Sequence, residues 1–345
     1  MKKQTVVLLA FSAMAYRLIL LFVQRSLGIE WDFHPDAGYY VAGVGAIERI
    51  GLESAFYLSE AENMLYIFVG YFLRNVTFSI IDLPDLYIAF NLAMAFVTVL
   101  TLGRLAEEFR IVGFAVVFYA FSPYLAHISI HPLKDALVIL LTISLVRFAS
   151  LGSVVPAALS AVFLVAGRFH LGVVLVAVVG VWFVLRNVVR SRYTWILIVA
   201  AIMVVFYAAT ATMLEERLMV EFEGRSFYPD GLALVPQAPA IRFFFGWALN
   251  ILVPYPFIPS NAAEMGYFGH LAMYYGLVFF SLRARSVYDS RRYGLLLLFL
   301  FTEAFILTST PGAGPLVRYR LASELMVLVA MEPIRRGREQ LPRRA

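Results

Sequence analysis

Apolar runs separated by short polar breaks recur along the whole chain. The first, VVLLAFSAMAYRLILLFV at residues 6–23, follows Met1, Lys2 and Lys3. Runs of this kind predict helices near 6–24, 84–103, 111–128, 133–149, 154–168, 171–186, 194–213, 265–282, 294–309 and 317–333. They do not alternate with the period of the strands in an outer-membrane barrel. The expected fold is all-α. It is a single polytopic membrane domain over 1–345, a bundle of about ten transmembrane helices that each satisfy their own backbone hydrogen bonds. Several runs fall short of the roughly 20 residues of a full crossing.

Two long intervals interrupt the pattern, 25–83 and 214–264, and both are rich in acidic residues. Each holds one more apolar stretch, MLYIFVGYFL at 64–73 and IRFFFGWALNILVPYPFI at 241–258. Both are read as interfacial or re-entrant helices, because Tyr66, Phe68, Tyr71, Phe243 and Trp247 suit the headgroup level. Counted as a pair of ordinary crossings, they would invert only the region between them.

Composition narrows the class. The chain is 61% hydrophobic and 15% charged, with a mean hydropathy of +0.80. A soluble domain carries about a quarter charged residues. There is no cysteine, so a disulfide framework and a thiolate nucleophile are excluded. The net charge of +5 is not a nucleic-acid signal, since the basic residues gather at segment ends. Lys2 and Lys3, then Arg186, Arg190 and Arg192, then Arg283, Arg285, Arg291 and Arg292, then Arg335 to Arg344 all fall on one side if ten helices alternate. That side is expected to be cytoplasmic, with both termini there and the two long loops outside the inner membrane. The first run is expected to be a retained helix rather than a cleaved signal peptide, for no small-residue cleavage site follows it. No Walker or dinucleotide glycine loop is visible, and the short inner loops hold no nucleotide-binding domain. No internal repeat of the transporter kind is visible.

Four polar islands stand out. FHPDAGYY at 33–40 places Asp36 at the start of a helix opened by Pro35, with His34, Tyr39 and Tyr40 beside it. Such a carboxylate can take a proton or bind a metal, and the tyrosines can stack on a sugar ring. SPYLAHISIHPLKD places Lys134 and Asp135 at the outer start of another helix. Lys134 there can meet a phosphate, with Asp135 fixing the lysine or capping its own helix. AGRFHLG puts Arg168 and His170 in an outer turn, and GPLVRYRLASEL puts Arg318, Tyr319 and Arg320 at the start of the last helix. Arginine pairs with phosphate through its planar fork. Each island also has a structural reading: a solvated cap, a snorkelling lysine, an arginine on headgroups, or ion pairs with the acidic loops. Carboxylates on outer loops and cations at outer helix ends suit transfer from a lipid-phosphate donor.

HPDAGYY, SPYLAHISIHPLKD and VRYR resemble motifs of the multi-spanning GT-C glycosyltransferases, in the group of protein-O-mannosyltransferases and aminoarabinose transferases. The resemblance runs from the first helix to the last. It implies Asp36 as catalytic base and Arg318 and Arg320 on the donor phosphate. It also implies a polyprenyl-phosphate sugar as donor and, in some branches, a divalent magnesium or manganese ion. Where many members carry a paired acidic DE, Asp36 is followed by Ala37. The acceptor would be a lipid-linked glycan, a lipid or a protein. A membrane polysaccharide polymerase, a flippase for a lipid-linked glycan and a structural partner in envelope assembly remain as alternatives.

Overall fold

A computed structural model describes residues 3–58, 63–205, 262–283, 290–309 and 313–334. The side chains of 33, 35, 52–58, 170, 262–264, 283, 304–309, 313–317 and 319 lie outside that description, as does the stretch 241–258. The described chain is helical: α1 (Lys3–Ser26), α2 (Pro35–Leu58), α3 (Met64–Val76), α4 (Leu83–Glu108), α5 (Phe114–Phe121), α6 (Pro123–Ser129), α7 (Asp135–Leu151), α8 (Val154–Gly167), α9 (Phe169–Leu185), α10 (Arg192–Val205), α11 (Ala262–Arg283), α12 (Ser290–Ser309) and α13 (Ala313–Met331). A 3₁₀ turn, Trp31–Phe33, precedes α2. No strand occurs among the described residues; Ile111 and Ile334 form one isolated antiparallel bridge.

Two of these helices, α1 and α4, are long and apolar enough to cross a membrane. Others are apolar but shorter, α3 and α8 among them. With 14 residues, α8 is about 21 Å long against a hydrocarbon core of ~30 Å.

The expected helix over 111–128 is two helices. Pro123 has no N–H for the carbonyl of Tyr119, and it forces Ser122 into an extended conformation (φ −61°, ψ 124°). The carbonyls thus released are met from α1: Arg17, fully buried, donates from Nη2 to Tyr119 O at 2.9 Å and from Nη1 to Ala120 O at 2.9 Å. At the other end of α5, Glu332 accepts from the N–H groups of Gly113 and Ala115 at 2.5 and 2.6 Å. A cation at the carbonyl end and an anion at the amide end both suit the helix dipole. The first and last described segments are thereby fastened to one short central helix.

The interval 25–83 is mostly helix rather than open loop. Ala37, Tyr40, Val44 and Ile47 are buried on one face of α2. α2 bends at Gly51, whose φ of +80° suits a residue without a Cβ. α3 is helical over the stretch expected to be so, and its Arg74 pairs with Glu48 of α2 at 2.9 Å.

The long helices share two ends. Val6 packs on Gly103, and Arg25 meets Asp85 at the opposite ends of the same pair, so α1 and α4 are antiparallel. One end gathers Glu108 with Arg147, Arg186 over Trp182, and Arg292 on the carbonyls of Val329 and Ala330. The other end gathers residues 31–36, the 131–135 turn, Arg168 and Arg318.

Candidate functional site

Four elements meet at this second end. Pro35 opens α2, so Asp36 lies in its first turn. Asp135 begins α7, where the amide end of a helix favours a carboxylate. Arg168 is the one-residue joint between α8 and α9, with φ −160° and ψ 87°. Arg318 lies in the first turns of α13.

Their charges form one chain. Arg318 donates from Nη1 to Asp36 Oδ2 at 2.7 Å and from Nε to Asp135 Oδ2 at 2.8 Å. Arg168 donates from Nη1 to Asp135 Oδ1 at 2.7 Å. Asp135 and Arg168 are buried, whereas the Asp36 side chain is 50% exposed. The network therefore runs from a surface carboxylate inward to a buried guanidinium. Lys134, also buried, donates from Nζ to Asn63 Oδ1 at 2.6 Å. Two carboxylates against three cations leave these five side chains with a net positive charge.

Beside Asp36 lies a cluster of imidazoles. His34 Nε2 and His127 Nε2 are 2.9 Å apart. The His131 ring centroid is 4.6 Å from that of His127 and 5.0 Å from that of His34. His127 is in α6, and His131 lies in the turn that follows the end of that helix. Asn91 of α4 fixes that turn by donating to the carbonyls of His131 and Leu133 at 2.7 and 2.9 Å. Gln24, at the end of α1, spans two of the rings. It meets His127 Nδ1 at 2.8 Å and His131 Nε2 at 3.1 Å. Burial, then the His131 ring and the Arg318 guanidinium, push His34 down to about 4, so its imidazole is neutral at pH 7.

Arg320 does not join Arg318. Two residues along a helix turn a side chain about 200° away. Arg320 instead faces the bundle centre, 3.3 Å from Glu324 and 3.9 Å from Glu303. Glu324 meets His270 Nε2 at 2.8 Å, and His270 Nδ1 meets Ser122 Oγ at 2.7 Å. This fully buried chain ties α11, α12 and α13 to the break between α5 and α6.

The structure thus brings together Asp36, Asp135, Arg168 and Arg318, with His34 and Lys134 alongside. It does not pair Lys134 with Asp135, because Asp135 faces the two guanidinia and Lys134 reaches α3. Tyr39 is exposed, while Tyr40 is buried with its ring 4.9 Å from that of Tyr66. The side chains of His170 and Tyr319 lie outside the described residues. Sequence reasoning missed His127, His131 and Gln24 at the site, and Glu303, Glu324 and His270 in the core. The H-x-x-x-H spacing within AHISIH was a readable signal for the first two. A cavity of about 610 Å³, lined in part by Arg25, Trp31, Val41, Arg74 and Asp85, adjoins the 3₁₀ turn.

No protein-family model matches the chain, and no curated protein or solved structure matches it either.

Proposed function

We propose that the chain is a multi-pass glycosyltransferase of the cytoplasmic membrane, using a polyprenyl-phosphate sugar at the outer face. The observation that carries this reading is the convergence of Asp36, Asp135, Arg168 and Arg318, which are separated by up to 282 residues in sequence. A single island is explained by capping or solvation; the connected network of all four supports a shared role at one end of the bundle. Large apolar side chains are exposed on α1 (Leu8, Phe11, Ile19, Phe22), α8 (Val154, Val155, Val162), α10 (Leu197, Val204) and α11 (Phe279, Phe280). Lipid is the solvent that suits such surfaces on so many helices. Together with the ten apolar runs, they support a bundle of about ten crossings, some tilted or thinning the bilayer around them. The arginine-rich end then faces the cytoplasm and the site faces out.

In the proposed reaction, the Asp36 carboxylate takes the proton of an acceptor hydroxyl as its oxygen bonds to the anomeric carbon. The bond from that carbon to the donor phosphate oxygen breaks, its electron pair passing to the phosphate. Arg318, supported by Arg168 and Lys134, holds the leaving polyprenyl phosphate. Arg318 Nη2 lies 2.7 Å from Asp135 Oδ2, so the buried carboxylate anchors the guanidinium from one side. Its Nη1 is held by Asp36, so a phosphate arriving there displaces the carboxylate and frees it to act. The residues around Asp36 do not fit a magnesium or manganese site of oxygen ligands, because guanidinia face both aspartates. No step is assigned to such an ion.

The test is product analysis in detergent, with a panel of polyprenyl-phosphate sugars and lipid-linked acceptors. The wild-type chain is expected to yield a new glycosidic product. Asp36→Asn is expected to fold normally and lose about 10²–10⁴-fold in turnover. A donor left chemically intact across the panel would support a flippase and contradict the reading. Wild-type turnover in Asp36→Asn would remove Asp36 from the mechanism.

A further inference from the structure

The polar island at the site end contains three of the chain's five histidines, and their arrangement goes beyond what the transfer chemistry uses. His34 comes from one stretch of chain, and His127 and His131 from another about ninety residues on. One ligand nitrogen from each lies within 4.8 Å of the others. We propose that these three imidazoles form a transition-metal site of the zinc class.

The donor set decides the class of ion. Three neutral nitrogens suit zinc, cobalt, nickel or copper, whereas magnesium and calcium take oxygen. Zinc–nitrogen bonds of about 2.0–2.1 Å place tetrahedral ligand atoms about 3.4 Å apart. The pair His34 Nε2 and His127 Nε2 stands at 2.9 Å, so small ring movements close the set around an ion. A ligating imidazole needs its far nitrogen held. Gln24 reaches His127 Nδ1 at 2.8 Å, and the Trp31 carbonyl faces His131 Nδ1 at 3.4 Å. Binding replaces the contact of His131 Nε2 with Gln24 and the hydrogen bond between His34 Nε2 and His127 Nε2, whose proton moves to the far nitrogen or to solvent. Three protein ligands leave a fourth position for water, as in open zinc sites.

Such an ion joins the 3₁₀ turn before α2 to the turn before α7. Asp36 lies two residues beyond His34, and Asp135 four residues beyond His131. The metal therefore fixes the spacing of the two carboxylates that share Arg318. His34, His127 and His131 are positioning residues in this account, and the site stands whether or not the chain transfers a sugar.

The experiment uses the full chain, without a polyhistidine tag, in detergent and stripped by chelator. Zinc alone is then added. One zinc per chain and a raised Tm are expected, and cobalt substitution should give the intense visible bands of a tetrahedral site. His127→Gln is expected to abolish stoichiometric binding, and Gln24→Ala to weaken it about 10–100-fold. If His127→Gln does not fold, the wild-type cobalt spectrum decides alone. Sub-stoichiometric zinc, octahedral cobalt bands in the wild type, or unchanged binding by a folded His127→Gln would each overturn the site. None of these readouts depends on glycosyl transfer.

Discussion

Asp135 holds two guanidinia at once, one on each carboxylate oxygen, and all the charge is buried or nearly so. Replacing it by asparagine keeps the shape but takes this buried anion from Arg168 and Arg318, of which Arg318 keeps Asp36. Asp135→Asn should cost about 3–5 kcal/mol, read from thermal or denaturant unfolding in detergent. The two arginines of VRYR then separate function from architecture. Arg318→Ala should lower turnover by about 10²–10³-fold, with Arg318→Lys less affected because charge survives and the fork does not. Arg320→Ala should lower stability, since Glu303 and Glu324 lose their cation, and leave turnover per folded molecule unchanged. The opposite pattern would move the donor site to the bundle centre. Residue types and their islands were legible in the sequence; pairings were not. Adjacency suggested Lys134 with Asp135, but neighbours at a helix start point in different directions, and only the packing of α3, α9 and α13 decides which partner each reaches.

At the scale of elements, apolar runs predicted most helices well because each is a continuous stretch with polar ends. One failure has a physical cause: Pro123 splits one apolar run without changing its hydropathy. α2 opens at Pro35 as expected, but its run to Leu58 was not predicted. Its buried stripe Ala37, Tyr40, Val44 and Ile47 was nonetheless readable at helical spacing. The joint of α8 and α9 is the element on which Arg168 depends. A Cβ on Gly172 would lie 2.6 Å from the Leu164 carbonyl oxygen and 2.7 Å from Val165 Cα, both backbone atoms. Gly172→Ala must therefore push the two helices apart. A loss of about 1–3 kcal/mol is expected, with turnover falling further than in Arg168→Lys. Wild-type stability in Gly172→Ala would show that the joint is loosely packed.

Among the described residues, Arg147, Arg186 and Arg292 lie at one end of the bundle, and Asp36, Asp135, His34, His127 and His131 lie at the other with Arg168 and Arg318. The alternation of the apolar runs implied this division before any contact was known. It could not show that Asp36, Asp135, Arg168 and Arg318 touch, because that depends on which helices are neighbours. The central claim is that the charged cluster lies at the outer face of a membrane-spanning bundle, where a lipid-linked donor can reach it. The native chain has no cysteine, so single substitutions at the two ends report orientation without background. Asp32 and Ser191 are both exposed, one at each end. An impermeant thiol reagent applied to intact cells should label Asp32→Cys and spare Ser191→Cys until the cells are permeabilised. Labelling of Ser191→Cys but not Asp32→Cys would place the cluster on the cytoplasmic side and contradict the account.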